Sequence, residues 1–448
     1  MAKKQTPKPE PLAIDGGAPT VKRLAGTKKK DKIGLDEFMA LAELWGYSPK
    51  ARSAIKAILA EDEGGHEPKL TRYYKDGKVF VKEMEKAACE AFGAKYALGV
   101  NSGTSALNAA YTACGVGPGD EVIVPAYTFF ATAAAVVTCR AIPVIAEVDD
   151  SLTLDPDDVE RKLTPATKAI VPVHMAGNGC DMDRIMALAT EHNLHVVEDA
   201  AQACGGSYKG KSLGTLGHAG CFSLSSYKIT GAGEAGLVLT DDEWIYTRAQ
   251  NQHDTAACWR PDRYAKERKP GELFCGQNYR MSEMEGAVNL VQIKKAVSKA
   301  KRINANMRRV VSSLGEYPNV SLRRSNDLEG DVGYRIVLFA QDPQHAARVI
   351  EALKAEGVPA GGRGDRQSRD WHIYSYWEHI LEQKTSTPEG CPFTCPCHKG
   401  KLPEYSEDMC PNTLDYVERA VTVNVSEWWT AADCRQIAQA ANKVCRAM

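Results

Sequence analysis

The sequence predicts an α/β protein: a largely parallel sheet with helices on both faces, followed by a smaller carboxyl-terminal domain. Two observations carry this. From about residue 95, short apolar runs alternate with helical stretches at 96–100, 121–125, 142–148, 169–174 and 195–198, the pattern of strands buried on both faces. The polar residues Asn101, Tyr127, Asp199 and Ser223 then fall just past strand ends, where open sheets of this kind collect ligands.

Residues 1–34 are rich in Lys and Pro, with the run 28–32, and predict an extended or disordered arm. Short amphipathic helices are expected near 35–45 and 50–59. A third is expected near 81–92, with Val81, Met84, Ala88 and Phe92 on one face. Ser282 has the chemistry of an N-cap for a long helix through 283–300 and beyond, with Met284, Ala287, Val288 and Val291 expected to face inward. The carboxyl-terminal domain reads as a strand at 334–340, a helix at 343–356, a polar and aromatic insertion at 362–408 and a last helix at 431–445. The boundaries are thus 1–34 for the arm, 35–300 for the large domain with its leading helices, and 301–448 for the small one.

Charge excludes several functions. The 56 Lys+Arg nearly balance 57 Asp+Glu, so nucleic acid and anionic membrane surfaces are not expected partners. No apolar run approaches the roughly 20 residues that cross a bilayer, and a cytoplasmic protein is expected. Most of the 14 cysteines, such as Cys89, Cys114 and Cys139, stand singly in apolar stretches, where a thiol behaves as a small hydrophobe. One cluster, Cys391, Cys395, Cys397 and His398 with Cys410 beyond, has spacing that could suit zinc or iron–sulfur. Its gaps differ from paired Cys-x-x-Cys, and no metal is expected.

Lys228 lies between the strand end Phe222-Ser223 and the glycine-rich turn Gly231-Ala232-Gly233-Glu234-Ala235-Gly236. In a small-residue, partly desolvated setting an amine titrates lower and can attack an aldehyde to form a Schiff base. Alone, such a lysine reads as a solvated turn residue. Upstream stand two further features: Asp199 at the end of an apolar strand, placed to pair with a pyridinium nitrogen, and Asn101-Ser102-Gly103-Thr104, before a helix expected to begin at Ser105, whose free N–H groups suit a phosphate. Ser223 adds a second hydroxyl. Together these describe a pyridoxal 5′-phosphate site.

With those segments, Pro125-Ala126-Tyr127-Thr128-Phe129, Pro172-Val173-His174, Glu198-Asp199-Ala200-Ala201-Gln202 and Asn278-Tyr279-Arg280-Met281-Ser282-Glu283 make the chain resemble the DegT/DnrJ/EryC1/StrS family of pyridoxal-phosphate sugar aminotransferases. The resemblance is strong over about 77–300. It implies fold type I, with a seven-stranded-type, mostly parallel sheet and a small α+β domain. It also implies that Gly103, Thr104 and Ser223 bind phosphate, Phe129 stacks on the ring, Gln202 contacts its hydroxyl side, and Asn278 reaches the phosphate of the neighbouring subunit in a homodimer. Ser225-Ser226 and Gly233-Glu234-Ala235-Gly236 depart from the family's usual residues. The segment 12–19 and the order Lys228-Ile229-Thr230 resemble the branch with inosose aminotransferases and amino-hydroxybenzoate synthases.

The function implied is transfer of an amino group from L-glutamate or L-glutamine to a keto-sugar, free or nucleotide-linked, or a keto-cyclitol. Trp371 and His372 in the insertion are the candidate acceptor contacts. The alternatives are an aromatising dehydratase of the amino-hydroxybenzoate type and a non-catalytic cofactor-binding regulator. The family's sugar dehydratases carry His in place of the lysine, so Lys228 argues against simple dehydration.

Overall fold

The computed structural model describes residues 10–21, 33–62, 68, 70–73, 79–363 and 369–448. The chain divides into two units, residues 1–70 and 71–448. In the first, helices α1 (Leu35–Leu44) and α2 (Pro49–Ala60) form where amphipathic helices were expected. Ser48 caps α2 by accepting from the Ala51 N–H at 3.2 Å, and Asp36 pairs with Lys56 at 3.2 Å. The lysine run at 28–32 and residues 1–9 of the expected arm lie outside the described residues.

The second unit opens with α3 (Phe80–Phe92), then β1 (Tyr96–Val100), α4 (Gly103–Ala113), β2 (Glu121–Pro125), α5 (Ala131–Thr138), β3 (Ile142–Ala146), α6 (Pro156–Lys162), β4 (Thr167–Ile170), α7 (Met182–Glu191) and β5 (His195–Asp199). A small hairpin, β6 (Ser207–Tyr208) and β7 (Lys211–Ser212), precedes β8 (Ala219–Ser223) and β9 (Gly236–Thr240). Seven of these strands form the central sheet, in the order β1-β9-β8-β5-β4-β2-β3. All neighbours are parallel except β9, which runs antiparallel to both β1 and β8. Strand β4 stops at Ile170, short of the expected 174, because Pro172 has no N–H to give a ladder. Its carbonyl still accepts from Asp199 N at 2.9 Å, and a single bridge joins Val173 to Asp199.

After α8 (Glu243–His253) comes α9 (Glu283–Val311), capped by Ser282 in a reciprocal box with Glu285. The expected inward face of α9 is corrected. Its buried stripe runs through Gly286, Asn289, Ile293, Ala296 and Ala300, whereas Met284 and Val291 are exposed. The cause is close helix packing: a Cβ on Gly286 would lie 2.6 Å from Val81 Cγ2 of α3, so the small-residue edge faces α3 and the larger apolar residues turn away.

This helix passes without a break through residue 300 into the smaller sheet. That sheet is antiparallel, in the order β10 (Val320–Leu322), β11 (Arg335–Ala340), β13 (Ala420–Asn424), β12 (Ala360–Gly362). Its core is closed by α10 (Pro343–Ala355) and α13 (Ala431–Ala447) through Val349, Leu353, Ala438 and Val444. The insertion carries α11 (Glu378–Leu381) and leads into α12 (Pro411–Arg419). It is more than a solvated loop: Tyr374 and Trp377 are fully buried in the core of the large sheet.

Candidate active site

The site gathers at the carboxyl ends of β1, β5 and β8. After β1, Ser102 turns extended and caps α4, its Oγ accepting from Ser105 N at 3.0 Å. The helix therefore starts at Gly103, two residues earlier than expected, which puts Gly103 and Thr104 in the first turn, whose N–H groups have no partner within the helix. Gly103 is needed for space: a Cβ there would stand 2.7 Å from Ser223 Cβ, so the helix start and the end of β8 are pressed together. Thr104 is exposed and Ser223 half-buried. The three residues expected at the phosphate thus share one corner. Asn278 is exposed near it, one residue before Tyr279, whose carbonyl accepts from Asn101 N at 2.8 Å; its own side-chain oxygen accepts from Arg280 Nε at 3.0 Å.

Asp199 ends β5 and is 5% exposed. One carboxylate oxygen accepts from Thr132 Oγ1 at 2.8 Å and the other from Ala201 N at 3.1 Å. Thr132 is itself held by Thr128, the two hydroxyls being 2.7 Å apart. These bonds satisfy a buried carboxylate without an ion pair. The adjacent Glu198 does different work: it lies 2.9 Å from His174 Nε2 and takes the N–H groups of Gly214, Leu216 and Gly217, bracing the loop before β8.

Lys228 stands in a turn closed by backbone hydrogen bonds from Leu224 N to Ala235 O (2.7 Å), Ser226 N to Gly233 O (3.0 Å) and Lys228 N to Ser225 O (3.0 Å). Gly231 has no room for a side chain, since a Cβ would lie 2.1 Å from Ser225 O. Burial drives the Lys228 ammonium below the ordinary lysine range, and the negative charge of Asp199 opposes that shift. The charge of Asp199 therefore reaches the lysine expected to carry the chemistry.

Lys228 opens onto a cavity of about 910 Å³ whose wall includes Tyr127, Gln202, Tyr334 and His372. Gln202 Oε1 accepts from Ala176 N at 3.1 Å and from the Tyr334 hydroxyl at 2.5 Å. The insertion lines this side because residues 371–373 lie against 127–130: Thr128 N donates to His372 O and Phe130 N to Trp371 O, each at 2.9 Å. The ring of Phe129, 48% exposed, is 5.4 Å from that of His372. His372 Nδ1 lies 2.9 Å from Asp370. Burial pushes the Asp370 carboxyl up, but the bonds from His372 outweigh it and hold the group below its usual range. Trp371 turns the other way, packing on Phe130 at 5.5 Å and His379 at 5.7 Å outside the cavity wall. Part of the segment singled out around them, 364–368, lies outside the described residues.

Thr132, which holds Asp199, and Tyr334, Arg323 and Arg335, which line the cavity, do not stand out in the sequence. None carries a local motif; they are brought in by α5, by the residue after β10 and by the start of β11. Among the described residues no group of three or more His, Cys, Asp and Glu is placed to hold a metal. Cys391 and Cys397 are exposed, whereas Cys410 is buried away from solvent at the start of α12, its N–H donating to the Tyr374 hydroxyl at 2.9 Å. No helix among the described residues is long and apolar enough to cross a membrane.

The profile of the DegT/DnrJ/EryC1/StrS aminotransferase family matches residues 71–363, well over half of the chain, and the chain belongs to that family. It is 40% identical over 222 residues to a GDP-perosamine synthase of Caulobacter vibrioides, a match covering 48% of this chain and 57% of that protein. It is 34% identical over 301 residues to a putative L-glutamine:3-amino-2,3-dideoxy-scyllo-inosose aminotransferase of Micromonospora echinospora, covering 64% of this chain and 70% of that one. The crystal structure of an aminotransferase from Psychrobacter cryohalolentis superposes with a TM-score of 0.66 at 28% identity, covering 90% and 98% of the two chains. The expected fold type I architecture is the one found.

Proposed function

We propose that this chain is a pyridoxal 5′-phosphate-dependent aminotransferase that passes an amino group from L-glutamate or L-glutamine to a keto-sugar or keto-cyclitol. The observation that carries the reading is the joint placement of Lys228 and Asp199, a desolvated amine on the cavity wall and a buried carboxylate at the end of β5 whose charge acts on it. The residues fit the cofactor: Gly103 lets the start of α4 close against Ser223, and Thr104, Ser223 and the first N–H groups of α4, gathered at that corner, suit its phosphate. When bound, pyridoxal 5′-phosphate supplies an electron sink for the pair left on the substrate carbon. Asp199 would hold a proton on the ring nitrogen, Phe129 would offer an apolar face, and Gln202, fixed by Tyr334 and Ala176, would meet the ring hydroxyl. Lys228 accepts and returns the proton moved at the substrate carbon. A keto-sugar or cyclitol suits a cavity in which hydroxyls meet Tyr127, Tyr334 and His372, because an unpaired buried hydroxyl costs about 1–3 kcal/mol.

The test is a pair of half-reactions. Cofactor-loaded protein treated with L-glutamate or L-glutamine should become competent to aminate members of a panel of keto-sugars, keto-cyclitols and their nucleotide conjugates, read as amino products by mass spectrometry. Amination of none of them defeats the acceptor reading. His372→Ala should slow the acceptor half about tenfold or more and largely spare the donor half.

The reading includes a homodimer in which Asn278 serves the phosphate of the partner subunit's site. Exposed Met284 and Val291 on α9, close in sequence to Asn278, support an interface there. Mixing Lys228→Ala with Asn278→Ala chains should then restore activity above that of either variant alone, up to about a quarter of the parent's, since half the random dimers hold one complete site. No restoration after the chains have exchanged would count against shared sites.

A further inference from the structure

We infer that Arg323 and Arg335, beside Tyr127 on the cavity wall, form an anion subsite that takes a carboxylate or phosphate group of one of the two reactants; this rests on the aminotransferase reading of the same cavity. The cavity's charged lining is unequal: Lys228, Arg323, Arg335, Arg363 and Arg369 stand against the single carboxylate of Asp370. Two of those cations have local partners, Arg369 with Glu378 and Arg363 with the Tyr376 hydroxyl, and Asp370 is committed to His372. Arg323 and Arg335 have no carboxylate partner among the described residues.

The sheet register brings these two together. Arg323 follows β10, its N–H donating to Val337 O at 3.0 Å, and Arg335 begins β11. One Arg323 nitrogen donates to the side-chain oxygen of Asn178 and reaches the Arg335 carbonyl at 3.4 Å, while its Nη1 has no partner at all. The residue is only 8% exposed. Asp331, the acid whose charge acts on Arg323, spends its oxygens on Asn178 (2.8 Å), Gly179 N (2.9 Å) and Ser325 (2.5 Å). Arg335 gives Nε to Asn424 at 3.2 Å, and its charge acts on the Tyr127 hydroxyl.

A buried guanidinium with no carboxylate bonded to its fork is costly, and burial pulls Arg323 down to about 10 despite the charge of Asp331. An anion seated between Arg323, Arg335 and the phenol of Tyr127 supplies the missing charge, and the planar guanidinium fork matches carboxylate or phosphate oxygens. The donor amino acid brings such a group, and so does a nucleotide-linked or acidic sugar.

Binding to the cofactor-loaded protein separates the sources. Calorimetry would use glutarate as a non-reacting donor-like dicarboxylate, glucose 6-phosphate as an acceptor-like anion and myo-inositol as a neutral control. Arg335→Gln should weaken at least one anion by about tenfold to a hundredfold, the range for hydrogen bonds to charged groups, and leave myo-inositol unchanged. Arg335 is chosen because it is half-exposed and its replacement spares the core; an unchanged unfolding midpoint checks this. Loss confined to glutarate assigns the subsite to the donor, and loss confined to glucose 6-phosphate assigns it to the acceptor. Failure of the parent to bind either anion, equal anion binding by parent and variant, or parallel loss of myo-inositol overturns the inference. Amination of ketones by a protein that fails this test would leave the enzyme reading standing, and anion binding without any amination would do the reverse.

Discussion

In Lys228→Ala, turnover should fall to background and borohydride reduction should no longer fix cofactor to the chain. The parent, reduced and digested, should carry the cofactor's mass on the peptide containing Lys228. The expected drop is at least the 10²–10⁴-fold, roughly, that a positioned proton-transfer group contributes, with the lost nucleophile adding to it. The structure gives the reason this lysine differs from exposed ones. Burial lowers its pKa, so at a given pH more of it is the neutral amine that attacks an aldehyde. The rate of cofactor capture should accordingly rise with pH and level off below the ordinary lysine value of about 10.4. Stability follows the same linkage. A folded-state pKa below the unfolded one makes the buried ammonium a penalty at low pH, which fades as pH rises from the folded pKa to the unfolded one. The Ala variant lacks that penalty, so its unfolding midpoint at neutral pH should be no lower than the parent's. A variant that still transaminates near the parent rate, or a parent peptide carrying the cofactor elsewhere, would remove Lys228 from the chemistry.

How far the sequence revealed this site follows from how local each signal is. Strand periodicity, the Ser282 cap and the Gly103 loop are set by neighbours a few residues away, and they were legible. Strand β9 was not, because Gly236–Thr240 follows the glycine-rich turn and its antiparallel place between β1 and β8 depends on long-range pairing. The face of α9 is hidden for a similar reason: its apolar residues alone point to another side, but Gly286 lets α3 approach and sets the rotation of the helix. In the site, Lys228 and Asp199 stood out by residue type. Thr132, which holds Asp199, and Arg323 and Arg335, which come from the second sheet, are ordinary residues until tertiary structure brings them in. Trp371 and His372 show the limit of an insertion read as a list of suitable side chains. Backbone pairing with 127–130 fixes alternate residues to opposite sides, so His372 reaches the cavity and Trp371 packs on Phe130.

Asp199→Asn should keep the fold and lose most of the rate. The amide has nearly the volume of the carboxylate. Its oxygen can still accept from Ala201 N, and its NH₂ can donate to Thr132 Oγ1 if the Thr132 and Thr128 hydroxyls, 2.7 Å apart, reverse their order. What is lost is the negative charge. Asparagine cannot hold a proton on the ring nitrogen, so the electron pair left on the substrate carbon has a poorer place to go. Removing one preorganised electrostatic partner costs about 10²–10³ in rate. A second readout does not pass through turnover: Asp199 is the charge that raises the Lys228 pKa against burial, so its loss should move the pH dependence of cofactor capture to lower pH. A purely structural role for Asp199 would lower the unfolding midpoint instead and leave that titration in place. A single-turnover donor half-reaction within a few-fold of the parent, with the Lys228 titration unmoved, would mean that the carboxylate at the end of β5 does not support the chemistry assigned to it.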